Sequence, residues 1–181
     1  MIWLVLGLAL WTAAHLFKRL APDLRAGMGN AGRGLVTVLL LLSIWLMVKG
    51  YGQADGPYFW GRNAALVGIN NLLMLVSVYL FAAAGAKTAL ARRIRHPMLT
   101  AVKVWATAHI LVNGDLPSFI LFGGLLAWAV VEVIVLNRAE PEWTRPEPAP
   151  RDKEIKAVII TLVIYGVIAG IHTWLGYPVF G

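Results

Sequence analysis

Long apolar stretches with at most one charge each alternate with short basic gaps along this chain. The first covers 1–17 and is followed by Lys18, Arg19, Pro22, Asp23, Arg25 and Arg33. The second, 34–48, extends to Tyr51 if Lys49 snorkels outward. The third, 63–86, carries Asn70 and Asn71 at its middle, and Lys87, Arg92, Arg93 and Arg95 follow it. The fourth, 97–112, opens on a helix-compatible proline and contains Lys103. A turn at 113–117, built from Asn113, Gly114, Asp115, Leu116 and Pro117, leads into the fifth, 118–136, which contains Glu132. The sixth runs 155–175. Between the last two, 137–155 is a Pro-rich polar loop, extended by composition. Each run is long enough for a helix, and a transmembrane helix takes about 20 residues. The pattern therefore predicts an all-α, polytopic transmembrane helical bundle of about six spans, five being the smaller alternative, forming one domain over 1–181.

Composition agrees. Of 181 residues, 59% are apolar and 14% are charged, too few polar groups to cover a water-soluble globule. A soluble enzyme and a disordered chain are both excluded. The lipid bilayer is the partner this composition implies. The net charge of +7 sits in the gaps between runs, as topology determinants do, so nucleic acid is not the partner. Lys and Arg concentrate in the first, third and fifth loops, which places those loops in the cytoplasm and both termini in the periplasm. The first run lacks a basic segment before it and reads as a retained helix, not a signal peptide. There is no cysteine, which removes disulfides, thiolate metal sites and a cysteine nucleophile.

Polar residues inside spans are costly and are functional candidates by default, although many are helix–helix glue. His15, His109 and His172 lie within spans, and His96 stands at the mouth of the fourth. Each has two readings: a hydrogen bond to a neighbouring carbonyl, or ligation of a metal or haem iron. Trp11 and His15 are four apart, as are Trp105 and His109, so each pair shares a helix face. Tyr165, Ile168 and His172 form a stripe. Such an arrangement suits a flat macrocycle between helices and equally an aromatic interface belt. Lys103 and Glu132 are expected to form an ion pair, with Lys103 at the cytoplasmic interface or on a haem propionate as the second reading. Asn70, Asn71, Asn113, Asp115 and Glu132 are read as structural polar residues, and Gly123 with Gly124 as a close-packing point. No phosphate loop, zinc-protease motif or nucleophile elbow is present, so hydrolase and nucleotidase readings have no support.

The segment from Arg95-His96-Pro97 through Lys103-Val104-Trp105-Ala106 and Ala108-His109 to Asn113-Gly114-Asp115, then Leu121-Phe122-Gly123 and Leu126-Ala127-Trp128, resembles the NnrU family. His15, Gly50-Tyr51-Gly52, Asn71-Leu72-Leu73-Met74 and His172 with the Gly176-x-Pro178 ending extend the likeness over essentially the whole chain. The resemblance implies a bacterial inner-membrane protein linked to denitrification and nitric oxide metabolism. It is also similar to 15-cis-zeta-carotene isomerase, a membrane enzyme that uses b-type haem. That likeness implies haem axial ligands at His15 and His109, flanked by Trp11 and Trp105. His172 is the alternative axial ligand, because a depth count puts it level with His109. Arg95, His96 and Lys103 would then face the propionates, the competing role being topology and anionic lipid. The isomerase has a cysteine where this chain has Ala106, so a ligand switch to sulfur is absent. Arg95-His96-Pro97 is similar, in part, to isoprenylcysteine methyltransferases, whose following motif is incomplete here. Three functions follow: a haem protein in redox or gas-sensing chemistry, a membrane enzyme on a lipid-soluble substrate, and a haem-free accessory to a respiratory or denitrification reductase.

Overall fold

The computed structural model describes residues 1–147 and 149–180. Its helices are α1 (Ile2–Leu20), α2 (Pro22–Gly27), α3 (Gly29–Gly52), α4 (Ala64–Ala86), α5 (Pro97–Val112), α6 (Leu116–Ser118), α7 (Gly124–Ala139) and α8 (Arg151–Trp174). A single π-helical turn, Phe119–Gly123, joins α6 to α7 into one continuous 24-residue helix. Among the described residues the regular structure is all-helical but for a two-stranded antiparallel pair, β1 (Tyr58–Trp60) with β2 (Gly114–Asp115).

Local chemistry sets the ends. Asn63 caps α4 by accepting from the Leu66 amide at 2.9 Å. Lys87 ends it in the left-handed conformation, φ 56°. Pro97 occupies the first turn of α5, where its missing N–H costs nothing. Asp115 caps α6 through the Ser118 amide at 2.8 Å. The first gap, read as a loop, is helical instead: α2 starts on Pro22 with Asp23 in its first turn, and α3 starts at Gly29, not at 34. Basic residues disfavour a bilayer core, not a helix, so the apolar run marked the lipid boundary and not the helix end.

Among the described residues, four helices are long and apolar enough to cross a membrane: Gly29–Gly52, Ala64–Ala86, Leu116–Ala139 and Arg151–Trp174. The α1 helix has 19 residues and ends on Lys18 and Arg19, and α5 has 16. Large apolar side chains stay exposed around α8, among them Val158, Ile160, Leu162 and Val163, as lipid-facing positions require.

The principal pairings are α1 with α3, α4 with α5, α4 with α8, and α5 with α7. Leu4, Met47, Leu125, Trp128 and Ala129 form the buried core where α1, α3 and α7 meet. Small residues let those backbones approach. A methyl added to Gly7 would lie 2.8 Å from the Met47 nitrogen, and one on Gly124 would meet Leu8. Gly123 has open space, so only one glycine of that pair serves packing.

The two ends of the bundle differ. At one, the strand end, β1 pairs with β2, the Trp60 indole donates to the Leu111 carbonyl at 3.1 Å, and the Leu116 amide to Pro57 at 3.0 Å. At the other, the loop end, the first, third and fifth gaps gather. Arg19 pairs with Glu140 at 2.8 Å, Arg92 donates to the Pro146 carbonyl at 2.5 Å, and Glu154 accepts from the Ala89 amide at 2.6 Å.

Candidate intramembrane cavity

His15, His109 and His172 share one local arrangement. His15 Nδ1 lies 2.9 Å from the Trp11 carbonyl, His109 Nδ1 2.9 Å from Trp105, and His172 Nδ1 2.8 Å from Ile168. A carbonyl only accepts, so each Nδ1 carries the proton. Each Nε2 then keeps its lone pair, the state in which imidazole ligates a metal, with the carbonyl bond orienting the ring.

The fold distributes them unequally. His109 and His172 line one cavity enclosed by α4, α5, α8 and the π turn. The cavity has two lobes, both bordered by Met74, His109, Phe122, Ile168 and His172. The larger lobe, about 770 Å³, is apolar, with Val78, Phe81, Trp105, Leu121, Ile160 and Ile164 in its wall. The smaller, about 240 Å³, opens toward the strand end and holds Tyr51, Arg62, Asn70, Asn71, Asn113 and Tyr165. The His109 ring is 4.7 Å from Phe122 and 4.9 Å from Trp105. His15 lies elsewhere, between Trp11 at 4.2 Å and Trp128 at 4.5 Å in the packing of α1 against α7. Trp105 therefore shares the cavity and Trp11 does not.

The cationic residues expected at propionates are occupied with other work. Arg95 donates to the carbonyls of Glu140, Pro141 and Glu142, and His96 Nε2 meets Asn137 Oδ1 at 2.9 Å. These contacts clamp the start of the Pro-rich segment onto α5, and neither residue lines the cavity. Lys103 does not line it either. The expected Lys103–Glu132 ion pair is not formed among the described residues. Glu132 continues the buried stripe Leu125, Trp128, Ala129 on α7. Leu99, Val102 and Trp105 are the α5 residues packed on that core, and Lys103 projects about 100° away from Val102. Glu132 Oε2 and both the Trp11 and Trp128 indole nitrogens are buried without partners.

The other structural polar residues act locally. Asn71 donates to the Val179 carbonyl at 2.9 Å and Asn70 to Asn71 Oδ1 at 3.2 Å. Asn113 donates to the His109 carbonyl at 2.8 Å. Asp115 Oδ2 accepts from Ser118 Oγ at 3.0 Å.

Sequence reasoning gave no role to the segment after α8. Gly176, at φ 88°, turns the chain back, and Tyr177, Pro178 and Val179 border the smaller lobe. Arg62 donates to the Pro178 carbonyl at 2.7 Å, and the Phe180 and Tyr165 rings pack at 6.5 Å. This strap borders the mouth of the cavity at the strand end. The only hint in sequence was the Gly176-x-Pro178 ending.

Among the described residues no group of three or more His, Asp or Glu could hold a bare metal ion. A haem iron asks for only one or two protein ligands. Two imidazoles with free Nε2 on an apolar, aromatic-walled cavity fit that need, and among the described residues Arg62 is the one Lys or Arg lining the cavity. No curated protein and no solved structure matches the chain. A family model described as NnrU protein matches residues 3–179, and the chain thus belongs to the NnrU family.

Proposed function

We propose that this NnrU protein is a bacterial inner-membrane haem protein linked to denitrification and nitric oxide metabolism. In this reading His109 and His172 hold a b-type haem between α5 and α8. The observation that carries it is the meeting of His109 and His172 on one cavity, each with Nδ1 spent on its own helix and Nε2 free. When bound, the haem supplies one-electron transfer and an iron able to take a gas ligand. The chain's own residues do the rest. Met74, Phe122 and Ile168 exclude water, the Trp105 and Ile168 carbonyls fix the ring orientation of the two histidines, and Arg62 offers a guanidinium to a carboxylate at the strand end. The bundle crosses the bilayer six times, with the basic loop end in the cytoplasm and both termini in the periplasm. A respiratory or denitrification reductase is the partner this reading suggests. The large apolar lobe supports a second reading, an isomerase-like enzyme on a lipid-soluble substrate.

The visible spectrum of the detergent-purified protein tests it. A Soret band that shifts on dithionite reduction is expected. His109→Ala and His172→Ala should each abolish low-spin absorbance, whereas His15→Ala should retain it. Loss in His15→Ala with retention in His172→Ala would restore the pair His15 and His109 that the family likeness implies. A colourless protein made with adequate haem would leave the haem-free accessory role. A reporter active only outside the cytoplasm, fused to the C-terminus, reads the orientation.

A further inference from the structure

We propose that the smaller lobe of the cavity binds the hydroxyl groups of a hydroquinone-type ring, with Tyr51, Asn70 and Asn113 as its hydrogen-bond acceptors. The assignment comes from counting donors and acceptors on the lobe's wall. Ser118, fully buried, gives its one hydroxyl hydrogen to Asp115 Oδ2 at 3.0 Å. Tyr51 Oη lies 2.8 Å from Ser118 Oγ, and with the serine hydrogen committed, Tyr51 is the donor in that contact. The phenol oxygen then meets the lobe as an acceptor only. Asn70 gives its nitrogen to Asn71, and its buried Oδ1 has no partner. Asn113 gives its nitrogen to the His109 carbonyl, which leaves its Oδ1 to the lobe.

The nitrogens nearby each make a bond inside the protein, so among the described residues the buried side-chain atom of this lobe left with no partner is an acceptor, Asn70 Oδ1. Asn71 donates to Val179, Tyr165 donates to the Asn71 carbonyl at 3.4 Å, and Arg62, exposed at the mouth, donates to Pro178. A ligand that satisfies this wall brings donors. No Asp or Glu lines either lobe, so an ammonium would be buried without a counter-charge, which is prohibitive in an apolar site. Neutral O–H groups fit. The lobe holds about 240 Å³, room for a single substituted ring against Phe122 and Ile168. A quinone of the same shape brings only acceptors and would leave the buried Asn70 Oδ1 unpaired, the costly case.

This inference does not rest on the haem reading. Its test is calorimetric binding to the full chain in detergent, kept anaerobic, of tetramethylhydroquinone and of tetramethylbenzoquinone. The hydroquinone should bind about tenfold or more tightly than the quinone, from one or two hydrogen bonds. Tyr51→Phe should shrink that ratio toward unity, and Asn70→Ala should lower it independently if Tyr51→Phe fails to fold. Equal affinity for both rings in the unaltered protein, or no binding of the hydroquinone, overturns the proposal. The Soret band of the same sample reports haem separately, so a colourless protein that prefers the hydroquinone refutes only the haem reading.

Discussion

Gly50 of α3 lies directly against the main chain of Leu4 in α1, with no space for a side chain between them. The contact fixes the crossing of the two most extensively paired helices and brings Met47 and Leu4 into one core. Gly50→Ala must push the helices apart, and overpacking of this kind costs roughly 1–3 kcal/mol. A lower apparent Tm in detergent is expected. Gly68→Ala, where a methyl meets nothing, is the control and should leave the melt unchanged or slightly raised.

Arg95 holds three successive carbonyls of the segment after α7. Arg95→Gln should free that segment. Cleavage by a Glu-specific protease at Glu142 should quicken severalfold, while ligand binding in the cavity stays unchanged. Altered ligand binding with an unchanged cleavage rate would contradict the clamp.

Glu140 is held below the usual carboxylate range, first by the hydrogen bond from Arg19, then by the charges of Arg19, Arg95 and Lys18. A depressed folded-state pKa contributes stability that is present above the unfolded value and lost as pH falls through the folded one. The melt of Glu140→Gln should therefore fall slightly below that of the unaltered protein at neutral pH. The two should converge on acidification below the carboxylate range. Exposure makes the difference small, and added salt should shrink it further.

The π turn at Phe119–Gly123 inserts one residue into a continuous helix. Deleting Ile120 would restore regular periodicity and rotate Ser118 by about 100° relative to Leu125 and Trp128. The Tyr51–Ser118 bond and the core stripe could then not both survive. The deletion should lower the apparent Tm by more than Ile120→Ala does. Equal effects would mean that the extra residue is not needed to serve both faces.

Some of this was legible in the sequence. The apolar runs located the helices from α4 onward to within a few residues, because hydrophobic length is a one-dimensional signal. The Trp105 and His109 pairing was legible for the same reason, since residues four apart share a helix face. What adjoined what was not. His172 shares a cavity with His109, and Lys103 misses Glu132, through the rotation of one helix against another, and apolar stretches of nearly uniform hydrophobicity carry no record of it. The π turn compounds this by shifting the faces on either side of it. Arg62 meets the strap only because the chain after α8 doubles back, and Gly176 and Pro178 hint at a turn there without saying what it turns onto.

The strap is held by its main chain. Arg62 and Asn71 both grip carbonyl oxygens, of Pro178 and Val179, and every amino acid supplies a carbonyl. Recognition of this sort is blind to side-chain identity. A substitution scan across 178–179 should look nearly flat, while the same scan at Arg62 and Asn71 should not. The rim of the cavity mouth is thus encoded at the start of the helix that receives it, more than a hundred residues before the chain that forms it.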